Sequence, residues 1–212
     1  MITLAVPKGR ILNETISLLK RARIFVCDEP NLTRKLILKT DNSKLRLLIV
    51  RGNDVLTYVK YGSADLGVVG SDILNEFQQH EFYQPLDLKI GNCRLSVAVS
   101  DLSVYQDLIS SNTRFKVASK YPNQTLDFYS KKGIHVDIIK LYGSMELAPL
   151  VGLADAVVDL VSTGKTLKEN GLKEVEIVEK ISSRLIINKA SFKLKNKTMN
   201  NILDNFSKVI DH

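Results

Sequence analysis

The segment Asp155-Ala-Val-Val-Asp159-Leu-Val-Ser162-Thr163-Gly164-Lys165-Thr166-Leu167 concentrates side chains whose types and spacing could do chemistry. An apolar strand delivers a carboxylate, Asp159, near its end, and a turn of hydroxyls around one glycine then opens a helix expected over Leu167 to Glu169. The first N–H groups of a helix lack intrahelical acceptors, and with the hydroxyls of Ser162, Thr163 and Thr166 they make a cradle for a phosphate monoester. Gly164 lets the backbone approach an anion closely, and Lys165 stands in the same turn. Asp159 could accept hydrogen bonds from ribose hydroxyls. Gly164-Lys165-Thr166 also ends like a nucleotide-binding P-loop, but that loop needs a glycine five positions earlier, where Asp159 stands, so the ATPase reading fails. The plainer alternative is a strand-to-helix turn with Ser and Thr caps and no ligand.

The elements that must position this turn read as alternating strands and helices. Ile2 to Val6 is an apolar run ending at Pro7-Lys8-Gly9-Arg10, after which Ile11, Leu12, Thr15, Ile16, Leu18 and Leu19 recur at helical spacing. Lys35 to Lys39 and Leu45 to Val50 read as a hairpin around Asp41-Asn42-Ser43. Asn53 or Asp54 can cap a helix through Val55, Tyr58 and Val59 that stops at Gly62, and Leu66 to Val69 is a buried strand ending at Gly70. The pattern restarts with strands over Cys93 to Val99, Phe115 to Ala118, Val136 to Lys140 and Ala156 to Leu160, with helices near Thr125 to Lys132 and Met145 to Val151. Arg184 to Asn188 is a late strand, and Lys197 to Ile210 is a closing amphipathic helix expected to return to the first lobe. The fold class is therefore α/β, with two α/β lobes around a cleft: residues 1–89 plus 183–212 form the first, and 90–182 the second, which carries the phosphate turn.

Composition narrows the function classes. A chain of 212 residues with 44% hydrophobic content can bury the core of one large or two small domains. The net charge of +7 suits polyanionic small molecules; scattered Lys and Arg with only 7% aromatic residues do not form the basic and aromatic face that nucleic acid needs. Cys27 and Cys93 have no CxxC partner and no His at metal-ligand spacing, so two reduced thiols are expected. The first residues reach a charge too soon for a signal-peptide core, and no apolar run approaches about 18 residues, so a cytoplasmic protein is expected.

Five segments carry a family resemblance: Leu4-Ala-Val-Pro-Lys-Gly-Arg10, Val50-Arg-Gly-Asn-Asp54, Tyr61-Gly-Ser-Ala-Asp-Leu-Gly-Val-Val-Gly70, Leu141-Tyr-Gly-Ser-Met-Glu-Leu-Ala-Pro-Leu-Val-Gly-Leu-Ala-Asp155 and the phosphate turn. In order and spacing they resemble the ATP phosphoribosyltransferases, from about the first residue to Asn188. The turn itself resembles the phosphoribosyl pyrophosphate (PRPP) loop of phosphoribosyltransferases, departing from the purine and orotate type in having Leu160 where a second acid is usual. The resemblance is to the short form, which lacks a carboxy-terminal regulatory domain. It implies two lobes like a type II periplasmic binding protein. It also implies a homodimer within a hetero-oligomer, and a separate regulatory subunit like a histidyl-tRNA synthetase without aminoacylation activity.

The implied reaction joins N1 of the ATP adenine to C1 of PRPP with loss of pyrophosphate, the first step of histidine biosynthesis. That nitrogen has a free lone pair at neutral pH, so no general base is needed, and His80, His135 and His212, outside every motif, are expected at the surface. The reaction needs positive charge on the leaving pyrophosphate and alignment of two anions. Magnesium would be bound mainly through substrate phosphates, with no direct protein ligand expected. Arg10, Arg34 and Arg51 are the expected catalytic cations, since guanidinium grips phosphate bidentately. Lys8, Gly9, Arg10 and Asp72 are assigned to ATP. Glu146, Asp159, Ser162, Thr163, Gly164, Lys165 and Thr166 are assigned to PRPP. Asp155 could equally be a cap that shapes the loop. Two rival readings stand: a non-catalytic two-lobed ligand-binding module, and a phosphoribosyltransferase acting on a nucleobase.

Overall fold

The computed structural model describes residues 1–28, 33–78 and 81–210. Among the described residues the strands are β1 (Ile2–Pro7), β2 (Ile37–Lys39), β3 (Leu45–Val50), β4 (Leu66–Gly70), β5 (Tyr83–Asp87), β6 (Cys93–Val99), β7 (Phe115–Ser119), β8 (Val136–Lys140), β9 (Ala156–Val161), β10 (Lys173–Ile181) and β11 (Ser183–Ile187). The helices are α1 (Arg10–Arg21), α2 (Val55–Lys60), α3 (Ser71–Phe77), α4 (Leu102–Ser110), α5 (Pro122–Lys131), α6 (Leu147–Leu150), α7 (Lys165–Glu169), α8 (Lys189–Leu194) and α9 (Asn196–Ile210), with a 3-10 turn at Gly52–Asp54.

The chain divides into two units. Unit 1 comprises Met1–Leu74, Gln78–Gly91 and Ser182–His212, and unit 2 comprises Asn75–Phe77 and Asn92–Ile181. Unit 1 holds a six-stranded sheet in the order β2-β3-β1-β4-β11-β5. β1 runs parallel to β3 and β4 at its centre, which is why all six of its residues are buried and why it reads as one apolar run rather than an alternation. Gly9 starts α1 at φ 88°, ψ −141°, a conformation a Cβ disfavours, and Leu12, Thr15, Leu18 and Leu19 then turn one face inward. On α9, Met199, Ile202 and Phe206 join the same core cluster as Leu12, Leu18 and Leu19.

Unit 2 holds a five-stranded sheet in the order β10-β6-β9-β7-β8, with β7 parallel to β8 and β9, and β6 antiparallel to both β9 and β10. Leu95, Val97, Phe115, Val117, Tyr129 and Val158 pack one face. Ala98, Met145, Val157, Val161 and Leu167 pack the other.

One device occurs in both units. Gly62-Ser-Ala-Asp65 precedes β4, and Gly152-Leu-Ala-Asp155 precedes β9. Both glycines sit at positive φ, 72° and 70°. Asp65 accepts the Thr3 N–H at 2.8 Å and returns its own N–H to the Thr3 carbonyl at 2.9 Å. Asp155 makes the same exchange with Lys116, at 2.8 and 2.9 Å. Each aspartate thus pins its strand to the parallel neighbour one residue ahead of the register pairs Leu4↔Leu66 and Val117↔Ala156. Asp155 is a structural cap here.

Candidate active site

In unit 2 the strand β9 runs out at Val161, Ser162 to Gly164 make the turn, and α7 begins at Lys165, two residues earlier than the apolar pattern implies. Gly164 is left-handed at φ 77°, while a Cβ there would meet only Val161 Cγ1 at 3.8 Å. The glycine answers to backbone conformation, not to crowding. Thr163 Oγ1 accepts the Lys165 N–H at 3.3 Å, so the turn is partly self-capped. With five residues, α7 brings little dipole, and the N–H groups of the turn itself are what it offers an anion.

The turn closes one side of a cavity of ≈170 Å³. Glu146, Asp159, Ser162, Thr163, Gly164, Lys165 and Thr166 all line it. Its volume is below the ~300 Å³ at which pockets take whole drug-sized ligands, and it suits a phosphate and the edge of a sugar. Sequence reasoning missed its floor, Ser96 and Ala98 of β6, which lie in register with Asp159 and Val157. The signal was present: in Cys93–Val99 the residues Leu95, Val97 and Val99 alternate with Arg94, Ser96 and Ala98, a polar or small set that leaves one face of the strand uncrowded.

In unit 1, Lys8, Gly9 and Arg34 line a second cavity of ≈400 Å³, walled by Leu12, Leu36, Leu38 and Ile49. Nothing lies within 4 Å of a Cβ built on Gly9, so the chain there is open to approach. Pro7 is in register with Val50, and Ala5 with Gly67, so Lys8, Arg51 and Gly70 stand level at the carboxyl ends of three parallel strands. This is the end at which open α/β sheets take ligands.

Three assigned residues, Arg10, Arg51 and Asp72, are not part of that lining. Arg10 lies outside the lining of that cavity: its Nη2 donates to the Gly91 carbonyl at 3.1 Å and its Nε lies 3.4 Å from Glu14, which itself accepts the Gly91 N–H at 2.6 Å. Asp72 is buried, with its carboxylate folded over Gly70 so closely that a Cβ there would fall 2.0 Å from Oδ1. His135 is exposed, and His80 and His212 lie outside the described residues. Among the described residues no three His, Cys, Asp or Glu side chains converge as a metal site, and no helix is long and apolar enough to cross a membrane. Cys27 and Cys93 are free thiols.

A model of the ATP phosphoribosyltransferase family matches residues 51–208. The ATP phosphoribosyltransferase of Janthinobacterium sp. is 53% identical over 207 residues, covering 98% of this chain and 94% of that one. That of Albidiferax ferrireducens is 54% identical over 210 residues, covering 99% of each. Among solved structures, the ATP phosphoribosyl transferase (HisG:HisZ) complex from Thermotoga maritima superimposes with a TM-score of 0.80 at 30% identity, covering 100% of both chains. The periplasmic aliphatic sulphonate binding protein SsuA from Escherichia coli, at 15% identity and TM-score 0.64, shares the fold alone, that of the type II periplasmic binding proteins.

Proposed function

This chain belongs to the ATP phosphoribosyltransferase family, and from that premise we propose how its residues divide the work. The reaction joins N1 of the ATP adenine to C1 of the PRPP ribose as pyrophosphate leaves, giving phosphoribosyl-ATP, the first step of histidine biosynthesis. The rival reading as a non-catalytic binding module is not favoured: SsuA matches the fold at 15% identity, whereas the transferases match the sequence at above 50%.

One observation carries the division: Glu146, Asp159 and the whole Ser162–Thr166 turn, drawn from separate segments, line a single cavity. The turn takes the 5′-phosphate of PRPP on its N–H groups and hydroxyls, and Glu146 and Asp159 accept the ribose hydroxyls. Pyrophosphate departs with the C1–O electron pair, so one negative charge develops on its leaving oxygen. Arg34 and Arg51 stabilise it, while Lys8, Gly9 and Arg10 hold the phosphates of ATP. Arg10 does so by exchanging Glu14 and the Gly91 carbonyl for phosphate oxygens, which accept more strongly. Asp72 acts on the nucleotide from behind Gly70, by shaping the strand end.

Magnesium, carried by the pyrophosphate oxygens, would neutralise charge on the leaving group. With Glu146 and Asp159 the carboxylates of the cavity, the donor set suits an ion that keeps most of its ligands from water and substrate. The Thermotoga relative is a HisG:HisZ complex, and we assign this chain a like regulatory partner, related to histidyl-tRNA synthetase, on a homodimer in the cytoplasm.

The test is purified protein with ATP, PRPP and magnesium, followed by the ultraviolet absorbance of phosphoribosyl-ATP with a pyrophosphatase present. Product from ATP but not from adenine or AMP, lost on replacing Arg34 or Thr163, is expected. Product formation that survives both replacements would sink these residue assignments.

A further inference from the structure

Beyond the residues assigned above, one ion pair reaches the phosphate turn. Arg94 of β6 meets Glu174 of β10 with two nitrogens, Nε to Oε1 and Nη2 to Oε2, the second at 2.5 Å. Its third nitrogen, Nη1, donates to the Ser162 carbonyl at 3.1 Å. Both side chains are largely covered, at 31% and 23% exposure. A register shift in β10 falls directly after Glu174, and bulges of this kind re-aim a side chain. Arg94 holds the Glu174 carboxyl below the usual carboxylate range, against the opposing effect of burial. Hydrogen bonding from Ser96, which stands between Arg94 and Ala98 on the same face of β6 and lines the cavity, lowers it further.

We propose that Arg94, braced by Glu174, is a positioning residue for PRPP that sets the phosphate turn by fixing the Ser162 carbonyl. In a trans peptide the C=O and N–H point in opposite directions. Holding the Ser162 carbonyl on the guanidinium therefore aims the Thr163 N–H the other way, to the side the anion takes. It also keeps a carbonyl's negative end from facing a phosphate. A guanidinium does this where an ammonium cannot, because only its planar fork can grip a carboxylate with two nitrogens and present a third to a carbonyl.

The inference rests on the reading that the Ser162–Thr166 turn takes PRPP, so the experiment separates the two. KM for PRPP, KM for ATP and kcat are measured for Arg94→Lys, Glu174→Gln, the double variant and Thr163→Val, with melting temperatures and calorimetric binding of PRPP with magnesium. Arg94→Lys should raise the PRPP KM about tenfold, the size of one charge-assisted bond, and leave the ATP KM within about twofold. Glu174→Gln should move it the same way by less, and the double variant should be no worse than Arg94→Lys, because both break one brace. An unchanged PRPP KM in Arg94→Lys, or an equal rise in both KM values, overturns the proposal. Thr163→Val separates the causes: if it too leaves the PRPP KM unchanged, the reading of the turn itself has failed. If it raises that KM while Arg94→Lys does not, only the brace has failed. Should Arg94→Lys fail to fold, Glu174→Gln carries the same test.

Discussion

The junctions that follow β4 and β9 begin alike and end differently. Both strands start from a Gly-x-Ala-Asp turn whose aspartate exchanges hydrogen bonds with the parallel neighbour, and both are central in their sheets. After β4 the chain enters α3 at once, and Asp72 folds back over Gly70 to fill the strand end. After β9 three residues, Ser162 to Gly164, intervene before α7, and the space at that strand end is a cavity. The aspartates differ as well: Asp65 is buried and tied to Lys195 at 2.7 Å, whereas Asp155 is exposed. One start therefore leads to two ends, one covered by the Asp72 side chain and one facing a cavity.

The widest separation is expected between the two aspartates. Asp65→Ala leaves the buried Thr3 N–H without an acceptor and Lys195 without its carboxylate, and should cost about 3 kcal/mol of stability by denaturant melt. Asp155→Ala should cost about 1 kcal/mol, since water can replace it. Equal losses would show that the two turns are energetically the same. Next comes Arg34→Ala, expected to lower turnover about 100-fold, or about 2.7 kcal/mol, with the melting temperature unmoved.

The two strand-end glycines follow. Gly70→Ala sets a methyl 2.0 Å from Asp72 Oδ1 and should cost about 2 kcal/mol. Gly164→Ala has room for its methyl and only the left-handed backbone to oppose it, so it should cost about 1 kcal/mol while raising the PRPP KM. The smallest effect is in pH. Burial pushes the Asp65 carboxyl up, but bonds from Lys195, Ser191 and the Thr3 N–H outweigh it and hold the pKa below the ordinary 3.8. The group is then more acidic folded than unfolded, so its contribution is full above about pH 3.8 and lost as pH falls through the lower folded value. Acid titration of the melting temperature should show this slope in the parent and not in Asp65→Ala.

Much of this was legible along the chain. Val136 to Lys140 reads as a strand and is β8; of the Lys35 to Lys39 run, Ile37–Lys39 is strand β2 and pairs antiparallel with β3, the Leu45 to Val50 run; the turn after Asp159 lies where its hydroxyls and glycine place it. Other elements were not legible, for physical reasons. β10 is Lys-Glu-Val-Glu-Ile-Val-Glu-Lys-Ile, a charged edge strand with two register shifts, and it is recognisable only once β6 pairs with it. α4 buries only Tyr105, so its apolar periodicity is weak, although Asp101 caps it with bonds to Ser103 and Val104. α3 begins directly at the end of a buried strand, and its Asn75–Phe77 end groups with unit 2, which nothing in its sequence announces.

What the sequence by itself determined is local: period-two and apolar runs for strands, positive-φ glycines at turns, a hydroxyl-rich turn after a carboxylate. These depend on neighbours a few residues apart, and a chain carries them without folding. The tertiary structure alone decided that Ser96 floors the cavity beside Asp159, that Arg94 reaches both Glu174 and Ser162, that Asp72 folds back over Gly70, and that Arg10 meets Gly91. Most of those contacts join residues dozens of positions apart through strand register. Register is set by which strands pair and how, a property of the assembled sheet that no window of sequence contains.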